Sequence, residues 1–372
     1  MDELTELTRD LVSIPSHDGE AAAGDFVEHW LRAETGADVT RDDAGDAARG
    51  GNVIARRGAT DEPDAPTLAF VGHHDVVPPG DGQVDSDGSY VVSERDGRLY
   101  GRGTADMKGA DAAMLLAFRD ADVGAIELVF ASFVGEEDGG IGARAAIDDG
   151  FGPDWALVAE GSTGYSEPAV LDVAVAHKGR RGSTVTARGQ AAHASEPDAG
   201  ENAAYRACDA VDVVRGLDWP SVAVAGEELS GSVTVTGIEG GSAWNVVPES
   251  CEVTVDERTV PGERADLAQV ETIDGVEWTV DQDLPPMRCS DDAFADAVLD
   301  AVRDGQDGAG ELVTKPHATD AGWLAEAGTA CVVCGPAEPG EAHTAAESVS
   351  IDVLERCYDT YRRLAAAWPD AM

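Results

Sequence analysis

Two histidines and a set of carboxylates stand just past segments that read as buried strands. His73 and Asp75 follow an apolar run at 67–71, Glu136 and Glu137 follow 126–134, Glu160 follows 155–159, and His343 lies in the loop after 329–333. Asp106 sits where a glycine-rich loop enters a helix. Imidazole and carboxylate are the ligands of catalytic zinc, which keeps one coordination position open. A carboxylate shared by two cations holds them ~3.5–4 Å apart, the spacing of two-metal hydrolytic sites. A second carboxylate that binds no metal can take a proton from an attacking water and pass it to a leaving amine. The adjacent Glu136–Glu137 pair offers one of each. Asp75, two residues after His73, is placed to orient that ring. His74 lacks such a partner and reads as pocket-lining or packed. Taken alone, an adjacent glutamate pair in an acidic chain is a solvated turn; arrival at several strand ends together separates these residues from that background.

Those donors meet only if the chain delivers them to one edge of one sheet. Leu4, Leu7 and Leu11 recur at helical spacing before Pro15, and Phe26, Val27, Trp30 and Leu31 mark a second helix. Strands and helices then alternate to about 170, which predicts an α/β domain with a mostly parallel sheet and flanking helices. Sites in such sheets form at the carboxyl ends of the strands. From about 170 the pattern changes. VLDVAVAHKG and RGSTVTARG alternate apolar with polar residues, followed by a helix at 201–217, two more alternating strands, a helix near 263–272 and the strand VEWTVDQDL. That order predicts a small α+β domain with one solvated sheet face. The α/β pattern resumes after Pro285–Pro286, so the expected boundaries are 1–175 and 285–372 for the large domain and 176–284 for the insertion.

The chain has 372 residues, with 26 Lys plus Arg against 72 Asp plus Glu, a formal net charge of −46. Only Lys108, Lys178 and Lys315 are lysines. With 43% hydrophobic residues the charge does not mean disorder. An acid-rich, lysine-poor balance fits a protein that stays soluble in concentrated salt, where self-repulsion is screened within a few ångströms. This points to a halophilic origin. It excludes nucleic acid, which needs a basic stripe, and an anionic membrane surface. No segment approaches the ~20 apolar residues of a membrane span, and the acidic start MDELTELTRDL does not read as a signal peptide. A cytoplasmic protein is the expectation. Cys331 and Cys334 fall inside TACVVCG, which reads as a buried strand.

The segments GHHDVVPPGD (72–81), GRGTADMKG (101–109), GEEDGG (135–140), AEGS (159–162) and GEAHTAAE (340–347) resemble, in order, the motifs of the di-zinc acyl-amino-acid amidohydrolase and peptidase family. The resemblance implies a zinc-peptidase-like catalytic domain with an inserted ferredoxin-like lid and dimerisation domain. It also implies two zinc ions per subunit, replaceable by cobalt. His73 and Glu160 would complete one metal, Glu137 and His343 the other, and Asp106 would bridge. Asp75 would orient His73, and Glu136 would be the general base and acid. In the insertion, QAAHASEP carries His193, which by resemblance reaches a substrate from the partner subunit of a homodimer. Asn245 and Arg258 match positions that grip a substrate carboxylate, and Arg180 and Arg181 in KGRRG would add to that anion pocket. PHATDAG (316–322) places Asp320 as relatives do, with His317 in place of a small residue. The substrate implied is a small N-acyl amino acid. GHHDVVPPGD and KGRRG lean toward removal of succinate from succinyl-diaminopimelate, ahead of acetylornithine or acetyl-lysine deacylation, then dipeptidase or carboxypeptidase action. A non-catalytic binding protein on the same fold would show a broken ligand set, and this set is complete.

Overall fold

The computed structural model describes residues 2–60, 62, 65–306 and 309–371. The chain divides into two compact units, one of residues 1–176, 288–315 and 319–372, the other of 177–287 and 316–318.

The first unit is built on a nine-stranded sheet. Its centre is parallel: Glu127–Phe133, Thr67–His73, Trp155–Val158 and Ala330–Val333 lie side by side. These strands are apolar along almost their whole length, as expected when helices cover both faces. Asp38–Arg41 and Val53–Gly58 extend one edge in antiparallel fashion, and Val173–His177 pairs antiparallel with Ala330–Val333 on the other side. Leu4, Leu7 and Leu11 are buried on the helix Asp2–Val12, as their spacing predicts. The helix Lys108–Asp120 is buried along nearly all its length. Cys331 and Cys334 are buried free thiols.

The second unit has a four-stranded antiparallel sheet in the order Ser232–Gly240, Ser250–Thr259, Gly179–Arg188, Val276–Leu284. In chain order that is 2-3-1-4, the arrangement of the split βαββαβ motif. The helix Ala203–Arg215 and the 3₁₀ turn Leu267–Thr272 pack their apolar residues against Val185, Ala187, Val253 and Val255. Two expectations change here. Val173–His177 alternates like a strand of this sheet but joins the large one, because periodicity fixes a strand and not its partner. The segment near 263–272 makes a short 3₁₀ turn in place of a helix, and Ser221–Val224 with Glu227–Ser230 forms a separate hairpin.

No described helix is long and apolar enough to cross a membrane. The charge of −46 has a measurable consequence. Raising KCl from 0.1 to 2 M shortens the screening length from ~10 Å to below ~3 Å. The melting midpoint is expected to rise by roughly 10 °C or more, a few kcal/mol for a chain this long. Calorimetry across that salt range checks it, and a flat midpoint refutes it.

Candidate metal centre

His73 ends the central strand Thr67–His73 and is almost wholly buried. Its Nδ1 lies 3.2 Å from Asp75 Oδ1 and 3.1 Å from the Asp75 carbonyl. Its Nε2 faces Asp106 Oδ1 at 3.1 Å and Glu160 Oε1 at 3.3 Å. The second oxygen of Asp106 is 3.0 Å from His343 Nε2, which also meets Glu137 Oε1 at 2.9 Å. Asp106 thus stands between two histidines. Asp75 does more than face the ring: its two oxygens accept the backbone N–H groups of Glu136 and Glu137, at 3.2 and 3.1 Å. One carboxylate therefore ties the His73 strand to the turn bearing the glutamate pair.

The donors fall into two groups, His73 with Glu136 and Glu160, and Asp106 with Glu137 and His343. The atoms of each group lie within 4.8 Å of one another. The set fits a pair of cations on chemical grounds. With Nδ1–H directed at Asp75, His73 Nε2 presents a lone pair toward two carboxylates. That contact is favourable only with an electron-poor centre, a proton or a metal, between them. A proton on Nε2 meets that need as a metal would. Burial lowers the His73 pKa, but hydrogen bonds to Asp106, Asp75 and Glu160 outweigh it and hold it well above the usual value. Hydrogen bonds to Asp106 and Glu137 raise His343 to about 10. Burial raises Asp106, but His343 and His73 outweigh it and hold its carboxyl far below the usual range. Two imidazoles with carboxylates suit zinc or cobalt better than calcium or magnesium, which take oxygen ligands.

Glu136 differs from its neighbours. It enters the hydrogen bonds of the cluster through its backbone N–H, while His73, Asp106, Glu137, Glu160 and His343 are joined through their side chains. Burial, with Glu160, Asp320 and Glu137 nearby, pushes its carboxyl well above the ordinary range. It walls a narrow cavity with His73, Met107, Glu160 and Asp320. Burial also raises Asp320, to about 7. His343 adopts the left-handed conformation at φ +62°. A non-glycine residue held there costs about 1–2 kcal/mol, and such strain concentrates at functional sites.

Residues 69–367 match Peptidase family M20/M25/M40. The chain belongs to that family. It is therefore an amide hydrolase of a metal-dependent family, and this M20 enzyme has curated relatives along most of its length. It is 29% identical over 330 residues to an acetylornithine deacetylase of Myxococcus xanthus, covering 85% of this chain and 83% of the relative. It is 31% identical over 340 residues to a succinyl-diaminopimelate desuccinylase of Dechloromonas aromatica, covering 84% and 85%. In fold it is similar to the aminopeptidase PepT of Bacillus cereus, with a TM-score of 0.80, 21% identity and coverage of 98% and 97%.

Several supports of this M20 site escape sequence reading. The buried Glu347 accepts the N–H groups of Gly103, Ala105 and Asp106 at 2.9, 3.0 and 3.2 Å and pairs with Arg102. It thereby fixes the loop that presents Asp106. Its signal was its place four residues after His343 in GEAHTAAE. Glu20 accepts the Gly135 N–H at 3.0 Å, and Arg49 joins Glu20 to Asp138. Gly135 has φ +63°, and a Cβ there would lie 2.8 Å from Arg49, so this strap occupies the space a side chain would need. Nothing in the sequence pairs residues so far apart. Lys315 places its Nζ 3.2 Å from Glu160 Oε2. His74 is buried, with Nδ1 2.9 Å from Ser132 Oγ, and is packed.

The remaining candidates lie in the second unit. His193 is exposed, its Nδ1 2.6 Å from Ser195 Oγ, and its segment pairs with the one carrying Asn245: Ala194 N–H donates to the Asn245 carbonyl at 2.9 Å. Arg180 and Arg258 stand opposite each other across paired strands, and both bind Asp256 at 2.8 Å. Arg181 does not join them. Successive strand residues point to opposite faces, and Arg181 is buried against Glu257 and the Ala265 carbonyl, at 2.6 and 3.0 Å.

Proposed function

We propose that this enzyme is a two-zinc, cobalt-tolerant amidohydrolase that removes the N-acyl group from a small amino acid. Succinyl-diaminopimelate is the best substrate reading. The observation that supports the two-metal reading is the pair of donor groups, His73 with Glu136 and Glu160 and Asp106 with Glu137 and His343. A relative in Xylella fastidiosa, a succinyl-diaminopimelate desuccinylase 28% identical over 98% of both chains, favours that substrate. The Myxococcus xanthus deacetylase favours acetylornithine as the second reading.

His73 and Glu160 would hold one metal, Glu137 and His343 the other, with Asp106 between them. Bound there, the two cations supply Lewis acidity that polarises the amide carbonyl and makes water nucleophilic near neutral pH. Glu136 takes the proton of the attacking water and returns it to the departing amine. Asp75 keeps His73 in one tautomer and holds the Glu136 backbone in place. The inserted unit serves as lid and dimerisation domain. In this reading His193 of one copy polarises the carbonyl of a substrate bound by the other. Asn245 and the exposed Arg180–Arg258 pair grip the substrate carboxylate, while the buried Arg181 supports the strand beneath them.

Turnover of succinyl-diaminopimelate, acetylornithine, acetyl-lysine and a few dipeptides, in molar KCl with zinc or cobalt, tests the proposal. The highest kcat/KM is expected on succinyl-diaminopimelate. Preference for acetylornithine selects the second reading, and hydrolysis of dipeptides alone removes the deacylase reading. Bound metal without turnover of anything moves the substrate outside this panel. A protein that takes up no metal and turns over nothing would be a binding protein on the same fold.

A further inference from the structure

Lys315 ends the strand Leu312–Lys315, which pairs with Val173–His177 at the side of the large sheet. It is only 6% exposed, and a buried ammonium is costly unless paired. Among the described residues its hydrogen-bonded ion-pair partner is Glu160 Oε2, at 3.2 Å. The other oxygen of that carboxylate, Oε1, faces His73 Nε2. The two oxygens of Glu160 are thereby divided, one for the metal group and one for the ammonium. Lysine suits this division: it is a compact point charge, whereas the planar fork of arginine grips both oxygens of a carboxylate. The choice stands out in a chain with 3 lysines among 26 basic residues.

We infer that Lys315 is a positioning residue that holds Glu160 as a one-oxygen ligand of the His73 metal. This rests on the two-metal reading above. Outer contacts of this kind are worth ~10–100-fold in metal affinity. Zinc affinity and stoichiometry, by competition with a chromogenic chelator, and the visible spectrum of the cobalt-loaded protein would be compared in wild type, Lys315→Met and Lys315→Gln. In Lys315→Met one metal is expected to bind ~10–100-fold more weakly, with the other unchanged. The cobalt bands of the weakened site should lose intensity as the freed second oxygen raises its coordination number. Lys315→Gln keeps a donor at that atom and should recover most of the affinity, which a loss due only to misfolding would not do. Wild-type affinity and spectrum in Lys315→Met overturn the inference, as does equal weakening of both metals. Failure of the wild type to bind two metals instead overturns the reading beneath it.

Discussion

Glutamine at position 136 is expected to lower kcat by about 10²–10⁴-fold, the contribution of a positioned general acid–base group, while both metals stay bound. The substitution keeps the size of the side chain and removes its ability to carry a proton. Asp75 holds the turn through backbone N–H groups, which the change does not touch. KM should therefore stay within a few-fold, because the loss falls on the transition state. The pH profile gives a second readout. Burial and neighbouring carboxylates push the Glu136 carboxyl well above its ordinary range. Below the resulting value Glu136 is protonated and useless as a base, so kcat falls toward acid pH. That acid limb should vanish in Glu136→Gln. Glu136 lies in one donor group with His73 and Glu160, so a different result has a clear meaning. Loss of one metal from the variant would make Glu136 a ligand and refute its role as base.

How much of this was legible in the sequence follows from what fixes each part. The convergence of His73, Glu136, Glu137 and Glu160 was legible because parallel strands deliver their carboxyl ends to one edge, whatever the details of packing. The sheet itself was legible from the apolar runs. The supports were not. Glu20 meets Gly135, Lys315 meets Glu160 and Glu347 meets the 103–106 backbone across 115, 155 and more than 240 residues of chain. Only tertiary closeness pairs them, and each acid is one among 72. The opposite facing of Arg180 and Arg181 was readable in principle, since two neighbours on a strand cannot serve one pocket. Val173–His177 was recognisable as a strand, but its assignment to the large sheet depends on which edge offers free backbone groups.

Asp106→Asn is expected to reduce bound metal from two ions to about one and to lower kcat by more than the ~10²-fold typical of losing an outer contact. The carboxylate offers Oδ1 toward His73 and Oδ2 toward His343. Asparagine keeps one acceptor oxygen and turns the other position into an N–H₂ donor, which repels a cation and cannot ligate. It serves one metal at most. The loop around it should not move, because Glu347 holds the backbone N–H groups of residues 103, 105 and 106 without help from the Asp106 side chain. A drop in metal content thus reports the lost oxygen rather than a displaced loop. Metal analysis after gel filtration, beside circular dichroism to confirm the fold, makes the comparison. Two tightly bound metals in Asp106→Asn would show that this carboxylate does not bridge. The two donor groups would then act as independent sites, with Glu136 recruited to complete the one around His73.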